Sequence, residues 1–73
     1  MRLTLRNAIA RSGRSQREFA RAVPMREPRL SEIIHAWADP TPDERAAIAR
    51  VLGRPLRGLF RNDAVDDNSG AAA

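Results

Sequence analysis

Apolar residues recur along the chain in short sets separated by helix breakers. Leu5, Ala8 and Ile9, with the small Ser12, share one helical stripe that Gly13 can end. Ser15 and Glu18 have capping-box spacing ahead of Phe19, Ala20 and Val23, one apolar face of a second helix of about two turns. Pro24 ends that helix, because a proline disfavours helical geometry in the residue before it. Leu30, Ile33, Ile34 and Trp37 have 3, 4 and 7 spacing and need a third helix. That helix begins at about Glu27 or Pro28, since proline is tolerated only at a helix start. Trp37 is expected to pack in the core or cover the helix exit. Thr41-Pro42-Asp43-Glu44 reads as N-cap, N1 proline and capping box for a fourth helix. It runs to about Leu52, turns Ala47, Ile48, Val51 and Leu52 inward, and closes on Gly53. Pro55 can open a fifth helix carrying Leu56, Leu59 and Phe60. The pattern predicts an all-α, compact bundle of five short helices over residues 1–61. Residues 62–73, NDAVDDNSGAAA, hold too little apolar content to repay ordering entropy, so a disordered acidic and Ala-rich tail is predicted.

Length and composition narrow the function. A domain of 73 residues buries only about 60% of its unfolded surface, so its stability is marginal. With no cysteine, disulfide, thiolate–metal and cysteine-nucleophile chemistry are excluded. One histidine makes no nitrogen-rich metal site, and no nucleophile–base–orienter set is present, so neither a metal, a cofactor nor catalysis is expected. No apolar run approaches the ~18 residues of a membrane span.

Charge adds a positive indication. All thirteen basic residues are Arg; residues 1–61 hold them against six acids, a balance of +7, and three Asp in residues 62–73 bring it to +4. A small basic domain commonly partners a polyanion, although solubility charge in an Arg-biased composition would look the same. Residues 2–17 carry five Arg and no acid. They suit a phosphate backbone or a solvated face. They also resemble a transit peptide, but their apolar stripe is needed as the lid over the other helices.

Arg26, Glu27, Arg29, Ser31, Glu32 and His35 occupy the faces that the third apolar set leaves free, as a helix entering a major groove would require. The order Ser15, Gln16, Glu18, Phe19, Ala20, then Val23 and Met25, then Leu30, Ser31 and Ile33 with Pro40 after them, resembles the helix-turn-helix of the Cro/repressor (XRE-like) family of phage and bacterial regulators. Ile48, Ala49, Leu52, Gly53, Leu56, Leu59 and Phe60 look like that family's closing helices, so the resemblance covers roughly residues 3–60. It implies a lambda-repressor-like fold with the helix-turn-helix in helices 2 and 3. It also implies a cytoplasmic, sequence-specific double-stranded DNA-binding regulator, such as a phage or prophage repressor, that reads the major groove with helix 3 (about 27–37). Such proteins usually act as homodimers on a two-fold operator, recognition helices about 34–36 Å apart, with no small-molecule ligand. The turn departs from the pattern: Pro24 stands where Gly usually follows helix 2, and Arg26 where a small cap usually precedes helix 3.

Carried over by position, Gln16 implies a phosphate contact and a brace on helix 3, with Arg17 beside it. Arg26, Glu27, Arg29, Ser31 and Glu32 fall where the family touches bases or nearby phosphates, and His35 where it often touches phosphate after helix 3. Arg29 suits guanine O6 and N7. Glu27 and Glu32 are unexpected against phosphate unless they accept from cytosine N4 or orient a neighbouring Arg; alternatively Glu32 pairs with Arg29 one turn back, worth only ~0.2–0.5 kcal/mol. Leu56, Leu59 and Phe60 could form a dimer patch or belong to the core. The competing function is a protein-interaction module that kept this fold, such as an antitoxin-like neutraliser.

Overall fold

Four helices follow one another in the computed structural model, which describes residues 1–61: α1 Leu3–Arg11, α2 Gln16–Ala22, α3 Glu27–Ile34 and α4 Pro42–Leu52. No strand occurs among the described residues, and none of their helices is long and apolar enough to cross a membrane. The predicted disordered tail, residues 62–73, lies outside the described residues.

One core joins the helices. Leu5, Phe19, Leu30, Ile33, Ile48 and Leu59 are its largest fully buried side chains, with Ala8, Ile9, Ala20, Val23, Ile34 and Ala49 around them. At about 1.5–3 kcal/mol per large apolar side chain, this burial is the main favourable term for so short a chain. The closest helix–helix association is α2 with α3, and α1 packs on both.

Capping sets the helix starts. Ser15 Oγ accepts from the Glu18 N–H (3.1 Å) while the Ser15 N–H donates to Glu18 Oε1 (2.9 Å). Thr41 and Glu44 repeat the box at α4, at 3.1 and 2.8 Å, with Pro42 in the first turn. α3 has no such box; Arg26 precedes it in extended conformation without a side-chain cap, and Pro28 occupies its first turn. Between α2 and α3 the Val23–Pro24 peptide is cis, Val23 is buried, and the Met25 N–H donates to Ala20 O (2.7 Å).

Three expectations need correction. The third helix stops at Ile34 and does not reach residue 37. Ala36 adopts a left-handed φ of +63°, its N–H donates to Ile33 O (3.1 Å), and the Trp37 N–H donates to Glu32 O (2.9 Å). This pair of bonds is a Schellman closure with alanine where glycine is usual. It turns the chain away from the core, so Trp37 is 74% exposed and does not pack in the core. The fifth helix is absent as well: residues 56–60 form turns, held by one Leu59 N–H to Leu56 O bond (3.1 Å). Gly58, inside the stretch, has φ +74°, far from helical geometry, so no regular ladder can cross it. Leu59 still enters the core, while Leu56 is 49% exposed.

The N-terminal segment is tied in by Arg2, which is 5% exposed. Its backbone N–H donates to Ile34 O (2.7 Å). Its guanidinium donates to Ile33 O (2.6 Å), Ala38 O (3.1 Å), Phe60 O (2.9 Å) and Asp39 Oδ1 (2.7 Å). One side chain thereby satisfies carbonyls from the end of α3, the α3–α4 loop and the C-terminal turns. The Asp39 side chain is 94% exposed, so the ion pair is screened and the carbonyl bonds carry more of the value.

Arg2→Lys keeps the charge but loses the fork, and its three donors leave at least one of the four acceptors unserved. It should cost about 1–3 kcal/mol in urea unfolding; an unchanged midpoint would contradict this role. Ala36→Gly should raise stability by about 0.5–1 kcal/mol, because relief of about 1–2 kcal/mol of left-handed strain is partly offset by glycine's unfolded-chain entropy.

Candidate nucleic-acid interface

α3 has two sides. Leu30, Ile33 and Ile34 are buried. At 100° per residue, Pro28, Glu32 and His35 form the row opposite them, with Ser31 beside it. Pro28 and Glu32 are exposed, whereas Ser31 and His35 are half-buried. Glu27, exposed, and Arg29, half-buried, sit on the two flanks.

Arg29 lies where helix 3 was expected to carry a guanine reader, but its fork is engaged within the chain. Nε donates to Glu44 Oε2 (3.0 Å), and one terminal nitrogen donates to Glu44 Oε1 (2.9 Å) and Asp39 O (3.1 Å). A bidentate pair of this kind fixes geometry as well as charge. Arg29 is therefore a strut between α3 and the start of α4. The expected Arg29–Glu32 pair exists only as a long 4.0 Å approach. Glu44 serves two elements at once, because Oε1 also accepts the Thr41 N–H that starts α4. The Arg29 hydrogen bonds hold the Glu44 carboxyl down to about 2, with the Thr41 N–H contributing, and the same pairing raises Arg29.

The other expected contact residues are placed as follows. Gln16 is half-buried at the first position of α2, with exposed Arg17 next to it. Arg26 is exposed immediately before α3. His35 approaches Ser31 O through Nδ1 (2.8 Å). A carbonyl only accepts, so Nδ1 carries the proton and Nε2 remains the ring's second polar atom. The imidazole stacks on Trp37, centroids 4.6 Å apart and planes 21° from parallel. A shallow groove alongside α3 is lined by Met25, Arg26, Pro28, Arg29, Glu32 and Glu44.

Three of the six acids among the described residues are engaged within the chain. Glu18 accepts the Ser15 N–H, which lowers its carboxyl from the ordinary range. Asp39 meets Arg2, and Glu44 meets Arg29. Arg6, Arg11, Arg14, Arg17, Arg21 and Arg26 are exposed on the first half of the chain, with only Glu18 among them before Glu27. The potential over α1 and α2 is accordingly positive.

Sequence reasoning missed Arg2, Asp39 and the second role of Glu44. The capping box did place Glu44 at N3 of α4. No local pattern announces a partner fifteen residues away, nor an Arg2–Asp39 pair 37 residues apart.

Glu44 makes stability pH-dependent with a definite sign. Its folded value lies below the ordinary 4.5, so the unfolded chain binds more protons in this window. The contribution is complete above about pH 4.5 and is lost as pH falls towards about 2. Glu44→Gln should cost about 1 kcal/mol at pH 7, allowing for partial solvent screening. The difference from the parent should close near pH 2; a pH-independent difference would contradict the pairing.

Compared with models of known protein families, with curated proteins and with solved structures, the chain matches none.

Proposed function

We propose that the protein is a sequence-specific double-stranded DNA-binding regulator of the Cro/repressor helix-turn-helix type, with α2 and α3 as the motif and α3 in the major groove. The observation that carries this reading is the two-sidedness of α3. Three buried residues, Leu30, Ile33 and Ile34, seat it on the core, and the opposite row of Pro28, Glu32 and His35 is left to the outside. An α-helix with its side chains is about 10–12 Å across, and a major groove about 12 Å wide admits such an element. Exposed Arg17 and Arg26, at the starts of α2 and α3, supply the cations that a phosphate backbone would meet. Gln16 can donate to a phosphate from the first turn of α2. The chain needs no metabolite on this reading; occupancy follows its concentration, and a two-fold operator would bind two copies.

A second reading, a protein-interaction module, is favoured by one feature: Trp37 is 74% exposed and stacked on His35, a usual composition for a protein-contact anchor. Arg29→Ala does not discriminate between the two readings, since that side chain braces α3 against α4. Arg26→Ala does, because Arg26 is exposed and caps nothing.

Selection of duplexes from a random pool should enrich one palindromic motif. On that duplex, log affinity should fall linearly with log salt, by about 0.9 per phosphate neutralised. Arg17→Ala and Arg26→Ala should each reduce that slope by about 1 while leaving the fold intact. Equal, weak retention of every duplex, with no slope change in either variant, would contradict the reading.

A further inference from the structure

The centre of the outward row of α3 is a carboxylate. Glu32 is one turn after Pro28 and one turn before His35, and its side chain is 52% exposed. The only arginine within the helix, Arg29, is turned to Glu44 and the Asp39 carbonyl, with one terminal nitrogen 4.0 Å from Glu32 Oε1. The helix thus offers a carboxylate at the middle of its outer face and the ring of Pro28 one turn earlier, while the guanidinium expected to read guanine is engaged with Glu44. Guanine presents only acceptors, O6 and N7, in the major groove, so it has nothing to offer Glu32. Adenine presents an amino group, but its N7 acceptor lies beside it and repels a carboxylate. Cytosine presents its N4 amino group with no acceptor adjacent on the same base.

We propose that Glu32 is the specificity-determining residue of this interface, and that it selects cytosine by accepting a hydrogen bond from N4. The inference rests on the DNA-binding reading above and names what that site prefers. Arg29 acts as a positioning residue: its grip on Glu44 fixes the rotation of α3, and its 4.0 Å approach biases the Glu32 carboxylate without quenching it. Pro28, one turn earlier on the same row, meets a neighbouring base step with carbon atoms only, as a thymine methyl requires. A carboxylate among phosphates also penalises every site that lacks the amino group, so discrimination comes partly from repulsion.

The test is duplex selection from a random pool with the full chain in three forms: parent, Glu32→Gln and Glu32→Ala. The parent should enrich a motif with cytosine at one position of each half-site. Changing that cytosine should weaken binding on the order of tenfold to a hundredfold, the range of one good base contact. Glu32→Gln should shift preference there to adenine, because an amide can donate to N7 and accept from N6 together. Glu32→Ala should leave that position open, keep the rest of the motif, and raise affinity for unrelated duplexes. If the parent enriches a motif and both variants keep the identical preference at every position, the Glu32 assignment is overturned while DNA binding stands. If the parent enriches nothing, DNA reading and Glu32 assignment fall together.

Discussion

The bidentate pair between Arg29 and Glu44 decides how α3 is presented. Leu30, Ile33 and Ile34 alone would let a short helix rock about its own axis, since hydrophobic contact is not directional. A fork on a carboxylate, at 2.9 and 3.0 Å, has a fixed direction. Because the same carboxylate accepts the Thr41 N–H, the pair also fixes where α4 begins. Helix orientation and helix start are therefore coupled through one side chain, which explains why Glu44 stays ionised well below the usual carboxylate range.

Arg2 does for the C-terminal end of α3 what Glu44 does for its flank. That end has carbonyls, a left-handed alanine and a loop to satisfy, and Arg2 brings it together with the first residues of the chain and with Phe60. A guanidinium carries enough donors for all of them. An arginine-rich chain of this size thus uses its cations in two ways. Two are built into the architecture, and the exposed set on α1 and α2 supplies the positive surface. Net charge overstates the cations left for a partner if every arginine is taken as surface.

Much of the fold was legible from local signals. The Ser15 and Thr41 capping boxes, the proline in the first turn of α3 and the Gly53 closure of α4 each concern residues within one or two turns, so spacing alone reveals them. The apolar stripes located the core for the same reason. Trp37 as a core residue and the fifth helix were misread because a competing backbone preference prevailed: the Schellman turn at Ala36 redirects the chain, and Gly58 interrupts the last apolar set. The candidate contact surface was legible as a helix face but not residue by residue. Which arginine remains outside depends on pairings that span 15 and 37 residues, and sequence periodicity carries no information about those.

The most direct test of the account is a backbone and side-chain NMR titration of the labelled full chain with the duplex it selects. The predicted result is that shifts concentrate on Gln16, Arg17, Arg26–Ser31, Glu32 and His35, with the Arg29 Nε–H still bonded to Glu44. Shifts confined to Leu56–Phe60 or to the Trp37 ring, with the α3 outer row unmoved at saturation, would contradict it.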